Sequence, residues 1–277
     1  MKKWLLMVGI MVVITITTLN AQASDRIVTL GGDVTEIVFA LGSGSQVVAR
    51  DSTSRHPEAA FKLPDVGYMR MLNAEGVLSM HPTLVIASAL AKPSMALSQI
   101  EKNGVRVIKV TGVPTLKAIP DKISTIASAL GKTEQGKELI QRFNQELSKV
   151  NTTSINKKIM FIMSHSGVLP LAAGKQTAAD SMILALGAQN ALSEFNHYRP
   201  LSPEGVIASQ PDLIIVGKES IKSLGGIDKI WLLPGMAMTT AAKNKALLVV
   251  DDMGMLSFSL GTPAVMNQIR EALEKLP

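Results

Sequence analysis

The chain has no cysteine. Disulfide staples, thiolate metal centres and the lipid-modified cysteine of surface lipoproteins are excluded together. Histidine is scarce: His56, His81, His165 and His197 are the only four, far apart, with no His-x-His pair. A zinc or manganese receptor needs about three or four converging His, Asp or Glu ligands, so that reading has little to stand on. Aromatics number six Phe, two Trp and two Tyr, and no run of Lys or Arg accompanies them. Nucleic-acid binding therefore lacks both its stacking residues and its basic stripe. The motifs Gly-x-Ser-x-Gly, His-Glu-x-x-His and Gly-x-x-x-x-Gly-Lys-Ser/Thr are all missing. With them go the commonest signatures of exported hydrolases and nucleotide enzymes, and no catalysis is expected.

Long apolar runs are also rare, and the one at the N-terminus has a specific form. Lys2-Lys3 precede an apolar stretch over residues 4–19, and Asn20-Ala21-Gln22-Ala23 follows. That is a basic n-region, an h-region and an Ala-x-Ala cleavage signal. The run is short for a bilayer span and is diluted by Thr15, Thr17 and Thr18. Export with cleavage after about Ala23 is expected. A chain exported without anchor or lipid needs an outer barrier to keep it near the cell, which points to the periplasm. Removal of residues 1–23 takes away two lysines and no acids, so the net charge falls from +6 to +4. The modest basic balance by itself names no partner.

The chain writes one stretch twice. Residues 68–86, YMRMLNAEGVLSMHPTLVI, align without a gap on residues 197–215, HYRPLSPEGVIASQPDLII. Arg70 falls on Arg199, Glu75-Gly76-Val77 on Glu204-Gly205-Val206, and Pro82 on Pro211. Each copy reads as loop, short helix, turn and buried strand. Asn73 and Ser202 are N-cap types, Pro203 suits the first helical position, and each Glu lies in the first turn. A repeat this long is no solenoid. It fits two similar lobes, each presenting one Glu and one loop carrying Tyr, His or Arg.

Strands at 26–30, 46–49 and 105–110 alternate with helices near 93–103 and 115–130, as parallel βαβ units do. Asp33 reads as the N-cap of the first helix, with Glu36 completing a capping-box pair. A polar loop over residues 50–67 delivers Tyr68. Residues 133–150 read as one long helix spanning roughly 25 Å, a semi-rigid strut between lobes. The expected fold is α/β: two βα lobes with parallel central sheets, residues 24–131 and 153–277, joined by a helix over 132–152. A further strand at 158–163, a loop holding His165 and a helix from about 177 to 186 open the second lobe. His56 and His81 read as incidental.

This pattern resembles the class III periplasmic substrate-binding proteins that serve ABC importers for haem, siderophores and cobalamin. The resemblance covers essentially all of the mature chain. The segment Val66-Gly67-Tyr68-Met69-Arg70 followed by Leu72-Asn73-Ala74-Glu75-Gly76 is similar to the haem-transport branch. The resemblance implies that Tyr68 is the ligand of the haem iron and that Arg70 supports its phenolate. It also implies that Glu75 and Glu204 dock on arginines of the permease, and that His165 holds a second haem or the other face. Ferric iron is a hard cation and a phenolate a hard donor, so the chemistry agrees. Tyr198 is expected as an aromatic wall, Met69 as a thioether contact on the porphyrin, and Arg199 as a partner for a propionate. The implied cargo is hemin, captured between the lobes by a monomer and delivered to an inner-membrane permease and its ATPase. A ferric siderophore or a corrinoid is the alternative cargo of the same fold.

Overall fold

The computed structural model describes residues 25–164 and 169–277. The first lobe opens with β1 (Ile27–Leu30), α1 (Gly32–Ala40), β2 (Val47–Arg50) and α2 (Glu58–Phe61). It continues through α3 (Ala74–Leu78), β3 (Leu84–Ser88), α4 (Ser94–Lys102), β4 (Arg106–Val110) and α5 (Ala118–Ala129). Its four strands form a wholly parallel sheet in the order β2-β1-β3-β4. β3 is buried along its whole length, as a strand covered on both faces must be. The expected strut is α6 (Thr133–Ser148), about 24 Å long at 1.5 Å per residue. Leu139 and Phe143 fix it against the core while its other faces stay polar.

The second lobe carries β5 (Lys158–Met163), β6 (Leu171–Ala173), α7 (Ala178–Ala185), β7 (Gln189–Asn190), β8 (Tyr198–Pro200), α8 (Pro203–Ser209) and β9 (Leu213–Gly217). It closes with α9 (Lys218–Leu224), α10 (Thr240–Lys243), β10 (Leu247–Val250), α11 (Asp252–Leu256) and α12 (Thr262–Glu274). β10, β9 and β5 are parallel, as expected. The sheet then departs from the expectation: β6 runs antiparallel to β5, and β8 antiparallel to β6. These two strands have three residues each, too few to show a period in sequence.

The repeat is structural as well as sequential. α3 with β3 and α8 with β9 recur at the same offset, and both expected caps form. Asn73 Oδ1 accepts the Glu75 N–H at 2.9 Å, and Ser202 Oγ accepts the Gly205 N–H at 3.1 Å. The expected cap on α1 does not form. Gly31, at φ 124°, is the N-cap residue, and Asp33 lies inside the helix, buried. Its carboxylate instead takes a hydrogen bond at 2.6 Å from Lys122 Nζ on α5. The same ammonium donates to the carbonyls of Ser257 at 2.7 Å and Phe258 at 3.0 Å, between α11 and α12. A buried charge is tolerable when paired and fully bonded, and all three protons of this one are used.

Further bridges join the lobes. Arg55 pairs with Glu219 at 2.7 Å, and His56 Nε2 lies 3.0 Å from Asp251 Oδ2. His56 is thus an interlobe contact, not the incidental residue expected. One apolar cluster runs through both sheets, from Ile27, Leu84 and Ile86 to Ile159, Ile215 and Ile269. A smaller one under the first sheet gathers Val28, Leu30, Met69, Leu72 and Ile100.

Candidate functional site

Open α/β sheets bind ligands beyond the carboxyl ends of their strands. The segment carrying Tyr68 is held there by its own loop. Arg50, buried at the end of β2, forms an ion pair with Asp65 and lies 5.2 Å from the Phe61 ring centroid. Asp65 Oδ1 accepts the Gly67 N–H at 2.8 Å, and Gly67 supplies the positive φ, 94°, that turns the chain into Tyr68. A short 3-10 turn, Met69–Met71, follows. The Lys92 N–H bonds Met69 O at 2.8 Å and the Leu72 N–H bonds Lys92 O at 2.7 Å, fastening this segment beside the loop after β3.

Tyr68 is 41% exposed, and its phenol has no hydrogen-bond partner among the described residues. Arg70 is exposed and without an ion-pair partner among them. Leu90 and Val113, exposed in the loops after β3 and β4, add apolar surface at the same end of the sheet, and Gly112 leaves room for Leu90. Neither residue stands out in the sequence. Their only sequence signal is position, two and three residues past a parallel strand. Met69 is corrected: its side chain is buried in the first-lobe cluster with Leu72, Ala74 and Val77. A thioether already packed in the core is not presented to a ligand.

Across from this lies the second-lobe loop. Tyr198 is half-buried, its phenol near the Thr177 hydroxyl and the Ala179 backbone at the start of α7. Burial pushes that phenol above the ordinary tyrosine value, opposed by these neighbours and by the positive charge of Arg70. That last influence ties the two lobes together, because Arg70 belongs to the first lobe and Tyr198 to the second. Arg199 is exposed, with its guanidinium 5.3 Å from the Phe195 ring centroid. Phe195 in turn packs on Gly174, where a Cβ would come within 2.4 Å of the ring. His197, the counterpart of Tyr68, adopts φ 65° and is exposed. His165 lies outside the described residues, as do residues 1–23.

Glu75 and Glu204 are exposed in the first turns of α3 and α8. Neither has a Lys or Arg within ion-pair reach among the described residues. Among those residues there is also no group of three or more His, Asp or Glu that could hold a bare metal ion.

The periplasmic heme-binding protein RhuT from Roseiflexus sp. RS-1, solved in its apo form, is 36% identical and superposes with a TM-score of 0.86. The alignment covers 90% of this chain and 98% of that one. The periplasmic heme-binding protein BhuT, solved with two hemes, is 33% identical with a TM-score of 0.83, covering 90% and 97%. HutB of Vibrio cholerae, also a periplasmic heme-binding protein, is 32% identical with a TM-score of 0.78, covering 92% and 100%. A vitamin B12-binding protein of Yersinia pseudotuberculosis serotype O:1b (strain IP 31758) is 26% identical over 247 residues, 86% of this chain and 84% of that protein. The profile described as periplasmic binding protein matches residues 27–252, so with two βα lobes, one joining helix and an open strand-end face, the chain belongs to the periplasmic binding protein family.

Proposed function

We propose that this protein is a periplasmic haem carrier that takes hemin between its lobes and delivers it to an ABC permease in the inner membrane. It carries its cargo and turns over none, a reading supported by relatives that are binding proteins. Tyr68 is the iron ligand in this proposal. The carrying observation is an exposed phenol, free of internal hydrogen bonds, beside an unpaired Arg70 whose charge reaches the opposite lobe. Ferric iron binds the phenolate form, and a neighbouring cation favours that form. Arg70 supplies that cation, Tyr198 walls the cleft, and Arg199 meets a propionate. His165 would serve a second haem. Glu75 and Glu204 meet cations on the permease, and the proposed export signal is removed after about Ala23. The proposed division into residues 24–131, 132–152 and 153–277 follows the two sheets and α6.

The corrinoid alternative draws on the 26% identity to a vitamin B12-binding protein. The heme-binding structures share more identity over equal or greater coverage, which favours haem. Titration of the purified protein with hemin, and separately with cyanocobalamin, decides between them. Hemin should give a ferric phenolate-type spectrum that Tyr68→Ala abolishes. A spectrum unchanged in the variant removes Tyr68 from the site. Binding of cyanocobalamin but not hemin replaces the proposal with the corrinoid one.

A further inference from the structure

Five large apolar side chains among the described residues have at least 61% of their surface in solvent: Met71, Met95, Leu169, Leu232 and Met238. Scattered exposed Leu or Met would be ordinary. These are not scattered. Met71 lies four residues before Glu75, in the turn that leads into α3. Met95 opens α4, whose approach is fastened to the same turn by the Leu72 N–H to Lys92 O bond. On the second lobe, the 3-10 turn Met236–Met238 packs beside α8, the helix of Glu204, and the 3-10 segment Ile227–Leu232 packs against that turn. Gly235 abuts Pro203 so closely that a Cβ would meet its carbonyl oxygen at 2.5 Å, and Gln210 Nε2 bonds Met238 O at 3.3 Å. Four of the five therefore lie on or next to the elements packed around the two glutamate helices, two on each lobe, with Leu232 reaching α8 through the Met236–Met238 turn.

We propose that each lobe carries an apolar pad, Met71 with Met95 and Leu232 with Met238, and that the pads seat the protein on its permease around the two glutamates. This rests on the docking reading above and extends it from charge to contact area. The occupant follows from charge. Glu75 and Glu204 have no internal cation, so the complementary surface brings cations set among apolar side chains. An anionic lipid surface would repel both carboxylates. A second copy meeting through this face would set like charges against each other. The work divides accordingly: the carboxylates set register and encounter rate, whereas burial of the pads holds the complex and is insensitive to salt.

The test measures binding of the hemin-loaded protein to the source organism's haem ABC permease and ATPase in phosphatidylcholine nanodiscs, at low and high salt. Met71→Ser with Met95→Ser, and Leu232→Ser with Met238→Ser, should each weaken binding roughly tenfold, about 1.4 kcal/mol, with the salt dependence kept. Glu75→Ala with Glu204→Ala should weaken binding at low salt and flatten that dependence. Leu184→Ser, at an exposed Leu of α7 away from either pad, is the control and should bind as the parent does. Serine variants that bind like the parent, while the glutamate variant is impaired, overturn the pads and leave the docking reading standing. A glutamate variant without effect overturns the docking reading itself. Equal binding of the parent to empty nanodiscs, or self-association on gel filtration that the serines abolish, assigns the pads to lipid or to a second copy and overturns the proposal.

Discussion

The Glu36 carboxyl sits where α1 meets the second lobe, close to Ser259 and the Leu260 backbone, with one oxygen left unbonded. Burial pushes it above the ordinary carboxylate range, and Asp251 adds to the rise while His56 opposes it. The folded chain then holds this proton more tightly than the unfolded chain does. Its contribution is complete below the unfolded pKa and is lost as pH rises through the folded value. Glu36→Gln mimics the protonated side chain at every pH. The variant should therefore gain melting temperature over the parent at about pH 7 and lose that advantage near pH 4. A difference that stays constant between these pH values would mean that Glu36 folds without a perturbed proton. Sequence could not reveal this environment. Glu36 stands three residues after Asp33 and reads as half of a capping box, but Ser259, Leu260 and Asp251, which surround it, lie more than 200 residues on. Asp33 was misread for the same reason, since its partner Lys122 sits on another helix. The exposure of Tyr68 and Arg70 follows from their place at the end of a polar loop, which the sequence does show. Met69 was not legible, since a neighbour of an exposed residue in an irregular turn can point either way, and this one points inward.

Elements were legible where the chain repeats itself or where a strand is buried on both faces. β3 and β9 are buried along their whole length and open with apolar runs, and the caps on α3 and α8 use short side chains reaching two or three residues ahead. Contacts of that range are written in sequence. β6 and β8 escaped because three residues define no alternation, and their pairing is set by strands far off in the chain. The turn over Met236–Met238 escaped for a related reason: its position depends on one glycine against another element. Gly235 combines φ 80° with a backbone contact on Pro203, so Gly235→Ala is strained twice. The variant should lose more than about 1 kcal/mol in urea unfolding. Because the displaced turn carries Met238 and borders Leu232, permease binding should weaken while hemin binding stays at the parent's value. Parent-like stability would show that α8 and this turn part freely and that their register carries no function.

At the scale of the molecule, two sheets suggest two independently stable lobes, but the packing argues for one cooperative unit. The larger apolar cluster passes through both sheets. Lys122 joins α1 and α5 to the turn before α12, and the Arg55–Glu219 and His56–Asp251 contacts close the edge between the β2 loop and the loops after β9 and β10. Exposed pairs of this kind contribute little singly, about 0–1 kcal/mol, so the shared core and the buried ammonium carry the coupling. If residues 1–23 are removed, Trp231 is the one tryptophan left, and it belongs to the second lobe. Its fluorescence thus reports that lobe, whereas far-UV circular dichroism reports both. The two signals should change together in urea, with one midpoint and one slope, as a two-state unit requires. Saturating hemin should move both midpoints upward by the same amount, because a ligand held by both lobes stabilises whatever unfolds with it. A tryptophan transition separated from the dichroism, or shifted alone by hemin, would place the cargo on one lobe and reduce the interlobe core to a passive seam. Coincident transitions would mean that the cleft keeps its width through a shared interior, so that Arg70 and Tyr198 face each other before any ligand arrives.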